Sequence, residues 1–226
     1  MVVSETTRVQ MRDIVAQYPR PRSALMPLLH LVQADEGAVT LEGIAEVADI
    51  VGLTEAEVTA VVTFYTMYVK RRSGQYRVGV CINSLCAILG GDEIWDALVS
   101  HCDVGNKETT EDGSITLERI ECQAACTHAP VMTANWEFLD DMTVAKAIDV
   151  VDELRAGGII QSTRGPVIRS FREAERTIAG MDDGLSGDGD HRDDRMLAGL
   201  KVAKQNGDFE AAVSAQRKAA SAAKGR

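Results

Sequence analysis

Hydrophobic residues in the first third of the chain return at helical intervals. In SALMPLLHLVQADEG, Leu25, Leu28, Leu29 and Val32 fall on one face, with Ser23 placed to cap the start and Gly37 to stop the helix. LEGIAEVADIVGL repeats the pattern through Ile44, Val47, Ala48 and Val51. Thr54 then opens a third helix, TEAEVTAVVTFYTMYV, and Glu57 three residues on completes a capping box. At helical spacing Phe64, Met67 and Tyr68 read as core residues fixing this bundle to the domain after it. The competing reading is a partner-facing patch, since Tyr and Met are enriched in interfaces.

The period changes at Tyr76. QYRVGV is strand-like and ends at Cys81, and AILGGDEIWDALVSHC is amphipathic through Ile94, Leu98 and Val99. DGSITLERIEC reads as a strand after an Asp-Gly turn, and PVMTANWEFL as two strand pieces around a turn near Asn135. MTVAKAIDVVDELRAGG closes the region as a helix, with Thr143 near its cap and Gly157 at its end. Strand, helix, strand, strand, helix fits a small α+β, thioredoxin-like domain. The expected division is a helical bundle over 1–73, the α+β domain over 74–160 and a C-terminal extension over 161–226.

That extension opens with QSTRGPVIRSFREAERTIAGM, a linker with room for a short helix from Phe171. It continues through the acidic, glycine-rich DDGLSGDGDHRDDR into an Ala- and Lys-rich tail, with too few apolar residues to fold alone. Flexibility, or order borrowed from a partner, is expected there. Resemblance to a calcium loop is loose, because the Gly and terminal Glu of an EF-hand are out of register.

A net charge of -10 argues against nucleic acid, whose binding needs cations to neutralise phosphates, and favours protein partners with basic patches. No segment approaches the roughly 20 apolar residues that span a bilayer, and MVVSETTRVQ lacks the layout of a secretory signal. The cysteines are therefore expected in a reducing cytosol, where clustered thiols more often bind metal or do redox work than form disulfides.

Four of the five cysteines form two close pairs, Cys81 with Cys86 and Cys122 with Cys126. Strand-end loops are poor places to bury thiols for packing alone. A structural zinc ion also takes four thiolates, but usually from tight C-x2-C knuckles. A two-iron cluster is broader, each iron takes two thiolates, and loops of C-x4-C and C-x3-C give each pair room to arch over one iron. The spacing favours the cluster and leaves zinc as its competitor. Ala124, Ala125 and Ala129-Pro130 are small or rigid and let backbone approach the site. Cys102, near the end of an amphipathic helix, is left out as a core or surface thiol. His128 reads as a supporting or surface group, and His30, His101 and His191 form no constellation.

CINSLC and CQAACTHAP together resemble the motif pair of the small thioredoxin-like 2Fe–2S subunit of NADH–quinone oxidoreductase (respiratory complex I), the E-type subunit in bacteria. RSALMPLLHLVQADEG, VVTFYTMYVKR, APVMTANWEFLDDMTVAKAIDVVDELRAG and the following RGP are also similar to family stretches, so the resemblance covers about Pro21 to Pro166. It implies an N-terminal helical bundle followed by a thioredoxin-like 2Fe–2S ferredoxin domain, with Cys81, Cys86, Cys122 and Cys126 as iron ligands. It implies a subunit that is no catalyst alone, but exchanges single electrons with FMN on an NADH-binding flavoprotein of the F type. A large iron–sulfur subunit of the G type is the other implied partner, in a complex peripheral to the inner face of the cell membrane. The chain has no G-x-G-x-x-G after a strand and no P-loop, so nucleotide binding falls to the partner. Where the family commonly reads C-x-G-x-C, this chain has Ala124. The same subunit type serves NAD-linked hydrogenases and formate dehydrogenases, and a zinc-stabilised interaction module is the reading from another class.

Overall fold

A computed structural model of the chain describes residues 3–185, 192–208, 210, 213 and 214. The helical third becomes α1 (Glu5–Val15), α2 (Leu25–Glu36), α3 (Leu41–Val51) and α4 (Glu55–Phe64). α2 packs against both α1 and α3, which is why Leu28, Leu29, Leu31 and Val32 are all fully buried although one stripe would leave Leu31 outside. α1, which the apolar pattern does not single out, is started by Ser4, whose hydroxyl accepts from the Thr7 N–H at 3.2 Å. Gly37 ends α2 with a φ of +78°, and Thr54 and Glu57 form the expected capping box.

Two expectations are corrected here. Ser23 does not cap α2; it lies inside a short 3-10 turn, Pro21–Ala24, and Ala24 holds the cap position. α4 stops at Phe64 because Tyr65 turns extended (φ −92°, ψ 122°). Phe64, Met67 and Tyr68 therefore share no helix face: Tyr68 is buried, Met67 is half-buried and Phe64 is 78% exposed.

The sheet contains β1 (Tyr76–Cys81), β2 (Glu108–Thr109), β3 (Ile115–Ile120), β4 (Met132–Ala134) and β5 (Glu137–Leu139), in the order β2-β3-β1-β4-β5. β1 and β3 pair in parallel, with Tyr76 beside Ile115 and Cys81 beside Ile120; the other pairings are antiparallel. The crossover from β1 to β3 runs through a single helical turn α5 (Ser84–Cys86), a wide turn over Ala87–Gly91 and α6 (Asp92–Cys102). Alternation along the strands sends Val78, Val80, Ile115 and Leu117 to one face. There they meet Ile94 and Leu98 of α6 and Val151 and Leu154 of α7 (Val144–Arg155). Cys81, Cys86, Ala125 and Val131 form a separate, smaller cluster.

A two-residue hairpin turn at Asn135 and Trp136, both at positive φ, joins β4 to β5. The Asn135 amide holds the sheet together beyond its turn. Its Oδ1 accepts from the Arg77 N–H at 2.8 Å, and its Nδ2 donates to the carbonyls of Gln75 and Arg169.

The expected helix from Phe171 is present as α8 (Phe171–Ile178), and it packs on α2. The segment before it follows the sheet, where the Thr163 N–H donates to the Phe138 carbonyl and the Phe171 N–H to that of Gln75. Glu175, fully buried, reaches into the bundle. Its Oε2 lies 2.6 Å from His30 Nδ1, and its Oε1 accepts from Gln33 Nε2 at 2.6 Å. Gln33 also donates to the Met67 carbonyl and accepts from the Val69 N–H, so one buried network joins α2, α8 and the chain after α4.

Residues 190–226 form a separate unit, whose described helix α9 (Asp194–Gln205) is capped by the Asp193 side chain. His191 and the central part of the acidic glycine-rich stretch, 186–191, lie outside the described residues. No helix among the described residues is long and apolar enough to cross a membrane.

Candidate metal centre

The end of β1 places the first thiol. Cys81 is 2% exposed, and its N–H donates to the Val131 carbonyl at 3.1 Å. After Ile82 and Asn83, the turn α5 brings Cys86 back into the same cluster. Behind it, Gly91 packs against the backbone that carries both thiols. A Cβ at this position would lie 2.7 Å from the Cys81 carbonyl oxygen and 2.8 Å from that of Cys86. The close approach requires glycine. Sequence reasoning passed over this residue, and the only signal for it was the Gly90-Gly91 pair shortly after Cys86.

The second loop leaves the neighbouring parallel strand, β3, at the same end of the sheet. Asn83 Nδ2 donates to Glu121 Oε2 at 3.0 Å and ties the two loops together. Ala124 holds a left-handed φ of +55°, which directs its N–H onto Cys122 Sγ at 3.4 Å. A short turn, Cys126–His128, then carries the fourth thiol. Cys122 and Cys126 are exposed, with sulfurs 3.6 Å apart. That is far beyond the roughly 2.05 Å of a disulfide. It is close to the roughly 3.8 Å between two thiolates on one tetrahedral metal with bonds of about 2.3 Å.

The electrostatics connect the two loops. Burial pushes the Cys86 thiol up to about 11, opposed by a hydrogen bond from the Val131 backbone and reinforced by Cys81 and then by Cys126. The Cys126 thiol is raised chiefly by Cys122, with burial and Cys81 adding to it. The Cys86 and Cys126 thiols resist ionisation unless a cation compensates them, and metal ligation requires the thiolate. The donor set thus suits a cationic metal group. Among the described residues, no three His, Cys, Asp or Glu side chains are placed to hold a single metal ion.

The remaining candidates stand elsewhere. Cys102 is 7% exposed within the main sheet core, and burial raises its thiol. The His128 ring is buried beneath the second loop, its Nδ1 3.1 Å from Asp141 Oδ2, which makes it a supporting group. His30 meets Glu175 and His101 meets Asp152, each in its own pair.

Residues 11–155 match the family of the thioredoxin-like [2Fe-2S] ferredoxin. The E-type subunit of NADH-quinone oxidoreductase from Mycobacterium tuberculosis (strain ATCC 25618 / H37Rv) is 48% identical over 203 residues, covering 88% of this chain and 79% of that protein. NADH-quinone oxidoreductase subunit 2 of Thermus thermophilus is 35% identical over 159 residues, covering 69% of this chain and 88% of the relative. In fold, the chain is similar to part of an NAD+-reducing [NiFe]-hydrogenase in its H2-reduced state, with a TM-score of 0.53 and 16% identity over 59% of this chain and 22% of the other. A 2Fe–2S cluster is the cofactor these matches imply. The chain belongs to the thioredoxin-like [2Fe-2S] ferredoxin family, as a 2Fe–2S subunit of NADH-quinone oxidoreductase of the E type.

Proposed function

We propose that Cys81, Cys86, Cys122 and Cys126 hold the cluster, and that the chain uses it to exchange single electrons with FMN on an NADH-binding partner subunit. The observation that carries the ligand assignment is the meeting of two thiol-bearing loops at adjacent strand ends, with Cys81 and Cys86 packed on Ala125 of the second loop, Asn83 bonded to Glu121, and the Cys122 and Cys126 sulfurs 3.6 Å apart. When bound, the cluster supplies a one-electron carrier; hydride leaves NADH as an electron pair, so a flavin must divide it.

The chain's own residues hold, tune and present the site. Backbone N–H groups of Ala124 and Val131 donate to the sulfurs of Cys122 and Cys86, and such bonds are a lever on reduction potential. The buried pair anchors the site from within, while Cys122 and Cys126 open it to a partner. Next to Cys86, Leu85, Ile88 and Leu89 are exposed, an apolar rim suited to docking beside the open edge. We assign the partner as a flavoprotein of the F type, in a complex that also holds a large iron–sulfur subunit of the G type. The assembly sits peripherally at the inner face of the cell membrane. The oxidoreductase relatives support this parent complex, whereas the hydrogenase likeness supports the fold.

The test combines composition with reduction. The anaerobically purified chain should contain two irons and two acid-labile sulfides and be reddish-brown; a colourless, zinc-loaded protein would overturn the cluster. Cys86→Ser and Cys122→Ser should each lose the visible band, and Cys102→Ser should keep it. NADH should bleach the band when the flavoprotein partner is present and leave it intact when that subunit is omitted. Bleaching without the partner, or none with it, would refute the flavin exchange.

A further inference from the structure

The segment after α4 carries a surface that the cluster does not use. α4 ends at Phe64, where the chain becomes extended, and Phe64 is left with 78% of its surface exposed. Tyr65, 42% exposed, meets it edge-on with ring centres 5.0 Å apart, and Tyr65 meets Tyr68 at 6.4 Å. Tyr68 fixes the inner end of this row, buried and donating its hydroxyl to the Met26 carbonyl at 3.1 Å. An aromatic held at one end and bare at the other is a rigid contact, with little side-chain entropy left to lose on binding.

Beside this row lies a groove of about 420 Å³, bounded by the segment from Tyr65 to Ser73 on one side and by β1, β2 and β3 on the other. Its charge is opposite to that of the chain. Lys70, Arg71, Arg72, Arg77 and Lys107 line it against Glu108 and Glu118, while the whole chain carries −10. Glu118 pairs with both Arg77 and Lys107, and Arg72 donates to the Glu36 carbonyl. Lys70 and Arg71 are exposed, and among the described residues no carboxylate lies within ion-pair reach of either. Two cations beside two bare aromatics match the composition of an interface centre, where aromatic residues and Arg are enriched. Nucleic acid is disfavoured as the occupant by the repulsion of the acidic remainder of the chain.

We propose that this groove seats an acidic segment of another subunit of the same complex, with carboxylates on Lys70 and Arg71 and an apolar side chain against Phe64 and Tyr65. The proposal rests on the reading that the chain works as a subunit of an oxidoreductase complex, and it places a second contact apart from the thiol loops. Charge complementarity selects the occupant: an acidic segment finds here a cationic channel on an otherwise repelling protein, and it gains register and encounter rate from it.

The experiment uses the intact complex. A photo-reactive benzoylphenylalanine placed at Phe64 should cross-link to a peptide of another subunit rich in Asp and Glu. A cross-link to a second copy of this chain, to a basic peptide, or to no other chain would overturn the proposal. Independently, the double variant Lys70→Glu with Arg71→Glu should dissociate from the complex at least tenfold more readily at low salt, with the gap narrowing as salt is added. Phe64→Ala should weaken association by a similar factor without that salt dependence. Both should keep the visible band of the wild-type chain. Variants retained within twofold of wild type would overturn the groove alone, whereas a wild-type chain that fails to join any complex would overturn the proposed function along with it.

Discussion

Replacing Glu175 by Ala tests how the C-terminal segment is fastened to the bundle. The carboxylate is fully buried and lies 2.6 Å from both His30 Nδ1 and Gln33 Nε2. Truncation leaves the buried His30 nitrogen without this partner, at about 1–3 kcal/mol. Gln33 keeps its bond to the Met67 carbonyl and loses less. The vacated volume, about 50 Å³ at roughly 24 cal/mol per Å³, adds about 1 kcal/mol. Together these give about 3 kcal/mol, or a fall of roughly 6–12 °C in melting temperature for a chain of this size. Glu175→Gln is the internal control. Its amide oxygen can accept from Gln33 and its NH2 can donate to His30, so it should stay within about 1 kcal/mol of wild type. Thermal unfolding of the cluster-loaded chain, followed by far-UV circular dichroism, reads both variants. Buried charge is itself costly, and replacing a buried ionic group can be neutral or stabilising. A Glu175→Ala protein that melts at or above the wild-type temperature would therefore refute the claim that this network holds α8 on α2.

Three further outcomes are expected. Gly91→Ala introduces a methyl 2.7–2.8 Å from two backbone carbonyl oxygens, so iron per chain should fall by at least half; wild-type iron and absorbance would show that the turn yields freely. Ala124→Gly relieves a left-handed φ of +55° that costs an L residue about 1–2 kcal/mol, partly offset by glycine's larger unfolded-state entropy. The melting temperature should rise by about 1–3 °C with the visible band unchanged, and a fall would mean that the Ala124 methyl makes contacts worth more than the strain. Asp112 is held well below the usual carboxylate range by the Ser114 and Thr110 hydroxyls, the Ser114 N–H and Arg155. A depressed folded value stabilises above the unfolded pKa and is lost as pH falls through the folded one. Asp112→Asn should therefore melt below wild type at pH 7, and the gap should narrow steadily as pH drops below about 4; a gap at pH 2 as wide as that at pH 7 would contradict this.

How much could be read from the sequence depends on the range of the forces involved. Helices α2, α3, α4 and α7 came from apolar spacing, with starts marked by Thr54 and Thr143 and stops by Gly37 and Gly157, all local signals. The two thiol pairs were legible because each lies within six residues of chain at a strand end. Their meeting depends on β1 and β3 being parallel neighbours, which the expected order of elements allowed without specifying. Ser23 misled because Pro21 starts a tighter turn that uses up the cap position. The TFYTMY stretch kept an apolar helical rhythm past the point where Tyr65 leaves the helix. Contacts such as His30 with Glu175, 145 residues apart, leave no local mark. A buried carboxylate inside an amphipathic helix looks like any solvated one until its partner is seen.

The stretch that ends in α8 has a consequence for how the two cores of the first unit are kept in step. The match to the thioredoxin-like [2Fe-2S] ferredoxin family ends at residue 155, before the strand-edge bonds at Thr163 and Phe171 and before Glu175 enters the bundle. That later portion works as a strap, stitched to the sheet at its near end and buckled into the helices at its far end. A single proteolytic nick between Thr163 and Phe171 would spare every strand and every thiol, yet part the stitch at Thr163 from the buckle at Glu175. The machinery for carrying an electron and the brace that keeps it aligned with the helices are thus written in separate parts of one chain.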